Sequence, residues 1–263
     1  TFVQASRAAH AAGKPVVLLT VGSSEAASRQ AASHTASLVS ATDVVDAACE
    51  AAGVIRVDTP QQMVDVLAGL TATVRPGGGR VAVLTDGGGH ASIAADVAEA
   101  HGLTVPEFSQ ALTEAVAGEL PASATAVNPV DVAGGGEQDI TCFSRVTRRV
   151  LSSGEVDALV VSGYFGGYAE YSQSLEPAEV ATAQALAAAA RESQRCLVVH
   201  SMYPTGSAAA ALRQAGVPVF RTFGNCVGAV KAYFDHHAFR ARYRSPFARP
   251  VTRRSPAATT ADP

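Results

Sequence analysis

A glycine-rich loop between a predicted strand and a predicted helix has the residue types of an anion site. Residues 85–92 read TDGGGHAS, so the strand passes through Gly87, Gly88 and Gly89 into a helix that begins near Ala91. Glycines let backbone N–H groups turn toward a ligand, and the helix N-terminus adds partial positive charge. Open α/β sheets also bind ligands at the carboxyl ends of their strands. The pattern predicts a phosphate site, and a plain tight turn is the alternative.

A second loop, residues 23–40, contains His34 among small hydroxyl residues, with Ser33 and Thr35 as its neighbours. A helix is predicted from about Thr42, with acids in its first turn, where the helix dipole favours them. Taken alone, His34 is most simply a surface-loop histidine, because the chain has seven histidines. The residues of this loop do not by themselves indicate chemistry.

Continuous apolar runs flanked by turn residues predict strands that are buried on both faces, as in a parallel sheet. The predicted strands are residues 14–22, 54–57, 80–86, 156–163, 196–201 and 217–222. Segments with helical spacing lie between most of them, and the alternation implies right-handed crossovers with helices on both faces. The sequence therefore predicts an α/β fold of three-layer, parallel-sheet domains.

The segment RPGGGR, residues 75–80, is the clearest domain boundary. We predict part of a first domain at 1–75, a second domain at 76–243, and a disordered tail at 244–263 that is rich in Pro, Thr and Arg. The first part has only two convincing strands, and two parallel strands are marginal as an independent unit. We therefore expect the preceding strands of that domain to be missing from this chain.

Each part ends with a similar sequence, AGVIRVDTPQQMV at 52–64 and AGVPVFRTFGNCV at 215–227. Both are predicted to form the end of a helix, a turn, a strand, a Thr cap and a second helix. Duplication and convergence on a common pattern explain this echo about equally well.

Composition excludes several classes of protein. The 263 residues are 48% hydrophobic and 16% charged, which rules out a disordered chain, and the net charge of −3 disfavours a nucleic-acid partner. No apolar run reaches the roughly 18 residues needed to span a bilayer, so no membrane partner is expected. The four cysteines are far apart and predict reduced thiols in a cytoplasmic protein. No P-loop lysine follows the glycine turn, which argues against an autonomous nucleotide hydrolase.

Residues 14–57 resemble the phosphohistidine segment of the nucleoside-diphosphate-forming acyl-CoA synthetase family, which includes ADP-forming acetate–CoA ligases and the succinyl-CoA synthetase α chain. The family's segment reads KPVVxLKxGRSEAG, then SHTGALAGSD, a helix and AGVIRV, and its SHT matches residues 33–35. The strand, glycine turn and helix at 80–103 and NPVDVAG at 128–134 are also similar to family motifs. The agreement runs in order over residues 1 to about 235.

The resemblance implies two flavodoxin-like ligase domains, the first of them N-terminally incomplete. It implies that an acyl phosphate passes its phosphoryl group to His34, which hands it to ADP, with the steps reversed for synthesis. The phosphate would contact Ser33 and Thr35, the glycine turn at 87–89 and the helix start at Ala91. The implied reaction is acid, CoA and ATP giving acyl-CoA, ADP and phosphate, with Mg²⁺ in the complete enzyme.

The chain has neither a GxGxxG segment that would hold CoA nor an ATP-grasp segment for the nucleotide. We therefore expect a CoA-binding Rossmann domain and an ATP-grasp domain on missing sequence or on a partner subunit, in a homo- or hetero-oligomer. This chain alone is expected to be inactive and to hold no tightly bound cofactor.

Three positions depart from the family motif: Ser23 replaces its Arg, Ala27 its next Gly, and Ala36 the Gly after SHT. Ala36 would restrict the approach of the backbone to a phosphate if that position requires a positive φ. A non-catalytic regulatory or scaffold module, such as the ligase-like domain of a protein acetyltransferase, is therefore the alternative. A flavodoxin-type cofactor binder is a third hypothesis, but the loops lack a convincing isoalloxazine site.

An aromatic segment, GYFGGYAEYSQ at 163–173, follows a predicted strand end. Its Tyr164, Phe165, Tyr168 and Tyr171 would line an acyl pocket, for instance for a hydroxycinnamate, or would pack on a neighbouring helix. No metal site is predicted, because His236 and His237 lack a third ligand at suitable spacing.

Overall fold

The computed structural model of the chain describes residues 1–22, 24–35 and 42–242. Two parallel sheets lie within those residues, one of two strands and one of five. The prediction of an α/β fold with parallel sheets is confirmed. Of the positions singled out in the sequence, Ser23, Ala36 and the predicted tail at 244–263 lie outside the described residues.

The first part of the chain forms a two-stranded sheet with helices around it. Its elements are α1 (Phe2–Ala11), β1 (Val17–Leu19), α2 (Glu25–Thr35), α3 (Thr42–Ala52), β2 (Ile55–Val57) and α4 (Pro60–Leu70). The prediction of a loop at residues 23–40 is wrong for Glu25–Thr35, which forms α2. Alanines are the best helix formers and an acid is favoured in a first turn, so this serine- and alanine-rich stretch is helical from Glu25.

The second part forms a five-stranded parallel sheet in the order β4–β3–β5–β6–β7, which is the flavodoxin-like order. Strands β3, β5 and β6 are buried throughout, as their apolar runs predict. Three elements have no counterpart in the sequence-based prediction, the two-residue strand β4 and the short helices α6 and α8. The elements are β3 (Val81–Thr85), α5 (Gly88–Ala100), α6 (Gln110–Ala117), β4 (Val130–Asp131), α7 (Cys142–Ser152), β5 (Ala158–Ser162), α8 (Tyr168–Tyr171), α9 (Glu176–Ser193), β6 (Cys196–His200), α10 (Ser207–Gln214), β7 (Val219–Phe220) and α11 (Phe223–Arg242).

The NPVDVAG segment is joined to β3 by a side chain as well as by the short strand β4. The Asn128 amide accepts a hydrogen bond from the Val83 N–H at 3.0 Å and donates to the Val81 carbonyl at 3.1 Å. The Asn128 side chain therefore pairs with the backbone of β3 just before β4 begins. The end of β4 lies next to the glycine turn as a result.

The sequence echo between the two parts corresponds to a structural repeat. Gly53 and Gly216 each follow a helix with φ of +65° and +81°, and the Thr59 and Thr222 hydroxyls each accept a backbone N–H three residues later. Both glycines occupy the left-handed region that favours glycine at a helix end. The two parts of the chain thus end with the same local structure.

Helix α4 of the first part packs on α11 of the second. The Asn225 amide donates a hydrogen bond to Asp65, and Arg75 lies over the Tyr233 ring at 5.6 Å. Val66 and Leu70 are buried against Ala232 and Tyr233 in a small apolar cluster. This seam joins the two-stranded sheet to the larger domain.

All four cysteines are buried and free. Burial raises the pKa of the Cys142 thiol to about 11 and that of Cys196 to about 12. A raised pKa keeps a thiol protonated at neutral pH, so these groups act as small apolar core residues.

A second part of the seam contains two buried histidines, His10 of α1 and His236 of α11. Their ring centroids are 4.9 Å apart, and His236 Nδ1 has no hydrogen-bond partner among the described residues. Burial lowers the pKa of His236 to about 4, and the charges of His10, Arg240, His237 and Arg75 act in the same direction. The pair is therefore packed as neutral imidazoles at pH 7.

This pair makes stability fall as the pH falls. An unfolded histidine binds a proton near pH 6.5, while folded His236 resists protonation until about pH 4, so the unfolded state gains protons first. We expect His236→Leu to reduce the loss of unfolding free energy between pH 7.5 and pH 5 by about 2 kcal/mol. Urea denaturation at both pH values measures this, with the exposed neighbour in His237→Gln as the matched control. An unchanged pH dependence in His236→Leu would contradict the prediction.

Candidate functional site

The glycine turn after β3 opens directly into helix α5. Gly87 is the N-cap residue with φ +155°, and no side chain caps the helix. The sequence-based start at Ala91 was late, because α5 begins at Gly88 and the Ala91 N–H already donates to the Gly87 carbonyl at 3.1 Å. The first helical N–H groups, those of Gly88, Gly89 and His90, have no partner within the helix. Gly88 and Gly89 are exposed, so these groups can reach a ligand.

This turn lies at the switch point of the sheet, where the chain order reverses between β3 and β5. The loops after these two strands leave the sheet on opposite sides, which creates a crevice at the carboxyl edge. The exposed His90 side chain lies beside Gly87 and Gly163, one from each loop. The helix start and the crevice therefore coincide.

A buried polar pair lies at the ends of the neighbouring strands β5 and β6. Ser162, the last residue of β5, places its Oγ 2.9 Å from Nδ1 of His200, the last residue of β6. Burial lowers the pKa of His200, and the charge of His90 adds to this effect, while the Arg221 backbone opposes it. His200 is therefore neutral at pH 7, and a hydrogen bond joins its Nδ1 to the Ser162 hydroxyl.

Two carboxylates flank the turn. Asp86 precedes Gly87 and accepts the Gly134 N–H at 3.0 Å through Oδ1, while its other oxygen accepts the Tyr168 hydroxyl. Asp131 ends β4, accepts the Ala133 N–H at 2.8 Å and has its second oxygen next to Gly88. Because negative charge already lies beside the helix start, a phosphate there would need donors beyond the amides of α5.

The aromatic segment is divided between core and surface. Phe165 and Tyr168 are fully buried, Tyr164 packs edge-to-face on Tyr168 at 5.1 Å and on Tyr203 at 5.5 Å, and Tyr171 is 72% exposed. The rings thus contact one another and the core, as in the packing alternative. A substrate role for this segment stays a prediction.

His34 lies in the last turn of helix α2, and its side chain is outside the described part of the structure, as is that of Thr35. The exposed Ser33 hydroxyl donates to the Gln30 carbonyl of the same helix at 2.8 Å. The approach of His34 to the glycine turn stays a prediction. Among the described residues, no group of three or more His, Cys, Asp or Glu side chains could hold a metal ion.

Comparison with known proteins gives a consistent result. A family model described as the succinyl-CoA ligase like flavodoxin domain matches residues 1–70. The α subunit of ADP-forming acetate–CoA ligase II from Pyrococcus furiosus is 34% identical over 148 residues, which is 56% of this chain and 32% of that protein. A trans-feruloyl-CoA synthase from an unknown prokaryotic organism is 30% identical over 162 residues, 61% of this chain and 23% of that protein.

The solved structures agree at the level of the fold. The dinucleotide forming acetyl-coenzyme A synthetase 1 of Candidatus Korarchaeum cryptofilum, in complex with phosphate and ADP, superposes with a TM-score of 0.76 at 20% identity. The match covers 91% of this chain and 50% of that one. Residues 1–70 thus match the succinyl-CoA ligase like flavodoxin domain, and the chain is similar to ADP-forming CoA ligases. The chain spans half of that solved chain and matches about a third or less of the length of the curated relatives.

Several polar residues around the turn were not singled out from the sequence. Asp86 follows β3 and Asp131 ends β4, each within a quoted motif, TDGGGH and NPVD, which was the available signal. Glu179 gave no signal, because it reads as an ordinary acid in the first turn of α9. No helix in the described residues has both the length and the apolar character to cross a membrane.

Proposed function

We propose that this chain is the ligase-like part of an ADP-forming acyl-CoA synthetase, in which His34 carries a phosphoryl group between ADP and an acyl phosphate. The overall reaction is acid, CoA and ATP giving acyl-CoA, ADP and phosphate. The observation that carries the proposal is the uncapped, glycine-rich start of α5 at the switch point of a flavodoxin-like sheet, in a chain whose relatives are named ADP-forming CoA ligases.

In synthesis, an imidazole nitrogen of His34 attacks the terminal phosphorus of ATP and ADP leaves. The acid's carboxylate then attacks the phosphorus, the N–P bond breaks, and an acyl phosphate forms. The CoA thiol attacks the acyl carbon, loses its proton and releases phosphate. A neutral imidazole suits this carrier role, because it is nucleophilic near pH 7 and leaves readily once phosphorylated.

The N–H groups of Gly88, Gly89 and His90 would share the charge of the phosphoryl oxygens, with Ser33 and Thr35 beside His34. Preorganised backbone donors are effective here, because they need no reorganisation when charge develops. The carboxylate of Asp131 beside Gly88 implies that a second set of donors is required. A CoA-binding domain, an ATP-grasp domain and Mg²⁺ held by the nucleotide would complete the enzyme, and a cytoplasmic location stays part of the proposal.

The acyl substrate is proposed at the level of a class. Identity to a feruloyl-CoA synthase supports an aromatic acid such as a hydroxycinnamate. The packed rings of Phe165 and Tyr168 do not add support, and only the exposed Tyr171 and the half-buried Tyr164 are available to such an acid.

A non-catalytic regulatory module is the second candidate, and Ala36 is the observation that favours it. The two candidates differ in whether His34 is phosphorylated. The test incubates the complete gene product, with its ATP-grasp subunit if that is encoded separately, with γ-labelled ATP and Mg²⁺. An acid-labile, base-stable label that ADP removes supports the carrier role, and a protein that takes up no label is the regulatory module instead.

A further inference from the structure

A buried carboxylate on α9 holds the loop that follows β5. Glu179 is 1% exposed, and its Oε1 accepts the N–H groups of Gly166 at 2.6 Å and Tyr168 at 3.1 Å. Its Oε2 accepts the Ala169 N–H at 3.1 Å. Hydrogen bonds to an ionised acceptor are roughly twice as strong as neutral ones, so this single side chain fixes the start of α8.

The fixed loop places the Tyr168 hydroxyl on the carboxylate of Asp86. The Tyr168 ring is fully buried between Phe143 and Tyr164, with centroids 6.4 and 5.1 Å away. Burial, and then the neighbouring Asp86 charge, raise the pKa of Tyr168 well above its ordinary value. The hydroxyl therefore stays protonated and donates to Asp86 at every working pH.

Asp86 connects this loop to the glycine turn. It directly precedes Gly87, and its second oxygen accepts the Gly134 N–H from the loop after β4. A Cβ placed on Gly136 in that loop would overlap the Tyr168 hydroxyl, so glycine is required for this approach. The Asp86 carboxylate thus links the loops that follow β3, β4 and β5 through hydrogen bonds.

We propose that Tyr168, held in place by Glu179, is a positioning residue for the phosphate-binding turn. It fixes Asp86, and Asp86 fixes the direction in which the Gly88, Gly89 and His90 N–H groups point. This inference rests on the proposed function, since it assigns these amides to a phosphoryl oxygen. Small displacements of preorganised donors weaken an interaction strongly, which is why a hydroxyl that never touches the phosphate affects its binding.

Tyr168→Phe removes the hydroxyl and keeps the buried ring. We expect inorganic phosphate to shift the ¹⁵N–¹H signals of Gly88, Gly89 and His90 in the wild-type chain, and Tyr168→Phe to weaken this binding about three- to tenfold. The signals of these amides should also differ between the two proteins before phosphate is added, whereas the melting temperature should change by less than about 3 °C.

Tyr233→Phe is the matched control, because it also removes one tyrosine hydroxyl but lies in α11, where its ring packs under Arg75. It should bind phosphate as the wild type does. Equal phosphate affinity in Tyr168→Phe and the wild type would overturn the inference. So would a wild-type chain in which phosphate does not shift the ¹⁵N–¹H signals of the three amides. The labelling of His34 is a separate measurement, so a failure of the carrier role is distinguishable from a failure of this positioning role.

Discussion

Replacing His34 with alanine should abolish the acid-labile label in the complete gene product. Alanine has no nitrogen that can form an N–P bond, so phosphoryl transfer should fall by at least about 10³-fold. Synthesis of the CoA ester from acid, CoA and ATP should fall in parallel, because the carrier is required in each turnover. Radiolabel counting and a coupled assay of ADP release measure the two quantities.

The control for this variant is another histidine that lies outside the site. His101 follows α5 and is exposed, and the hydrogen bond described for its side chain joins Nδ1 to the Val97 carbonyl at 2.8 Å. His101→Ala should keep both labelling and turnover. Label that persists in His34→Ala at wild-type level would show that the phosphoryl acceptor is elsewhere.

Replacing Glu179 with alanine should lower the free energy of unfolding by about 3–5 kcal/mol. The substitution leaves the N–H groups of Gly166, Tyr168 and Ala169 without their acceptor in a buried site. Each unsatisfied buried donor costs about 1–3 kcal/mol, and water that enters the gap recovers part of the loss. Urea denaturation followed by circular dichroism measures the change.

Two further variants make this result interpretable. Glu179→Gln keeps an amide oxygen that can accept from some of the three N–H groups. Its free energy of unfolding should therefore lie between those of the wild type and Glu179→Ala. Glu192→Ala removes an exposed acid from the same helix, whose partner Arg148 is 4.0 Å away, and should change stability by less than about 0.5 kcal/mol. A Glu179→Ala protein as stable as Glu192→Ala would show that the loop does not depend on the carboxylate.

Much of the fold could be predicted because its signals are local. The buried strands β3, β5 and β6 are apolar up to their last residue, and Pro60 after Thr59 marks the start of α4. The short strand β4 could not be found in this way, because two residues carry no periodicity and Asn128 supplies part of its pairing. Helix α2 was missed because small residues without an apolar stripe resemble a loop.

The sequence by itself determined the parallel α/β class, the glycine turn and the family resemblance, since each depends on residues that are close together in the chain. Only the tertiary structure decided that Glu179 is buried, that Tyr168 bonds to Asp86, and that His200 contacts Ser162. Tyr168 and Asp86 are 82 positions apart. Their meeting depends on which strands become neighbours in the sheet, and sheet order is a property of the whole folded chain rather than of any segment.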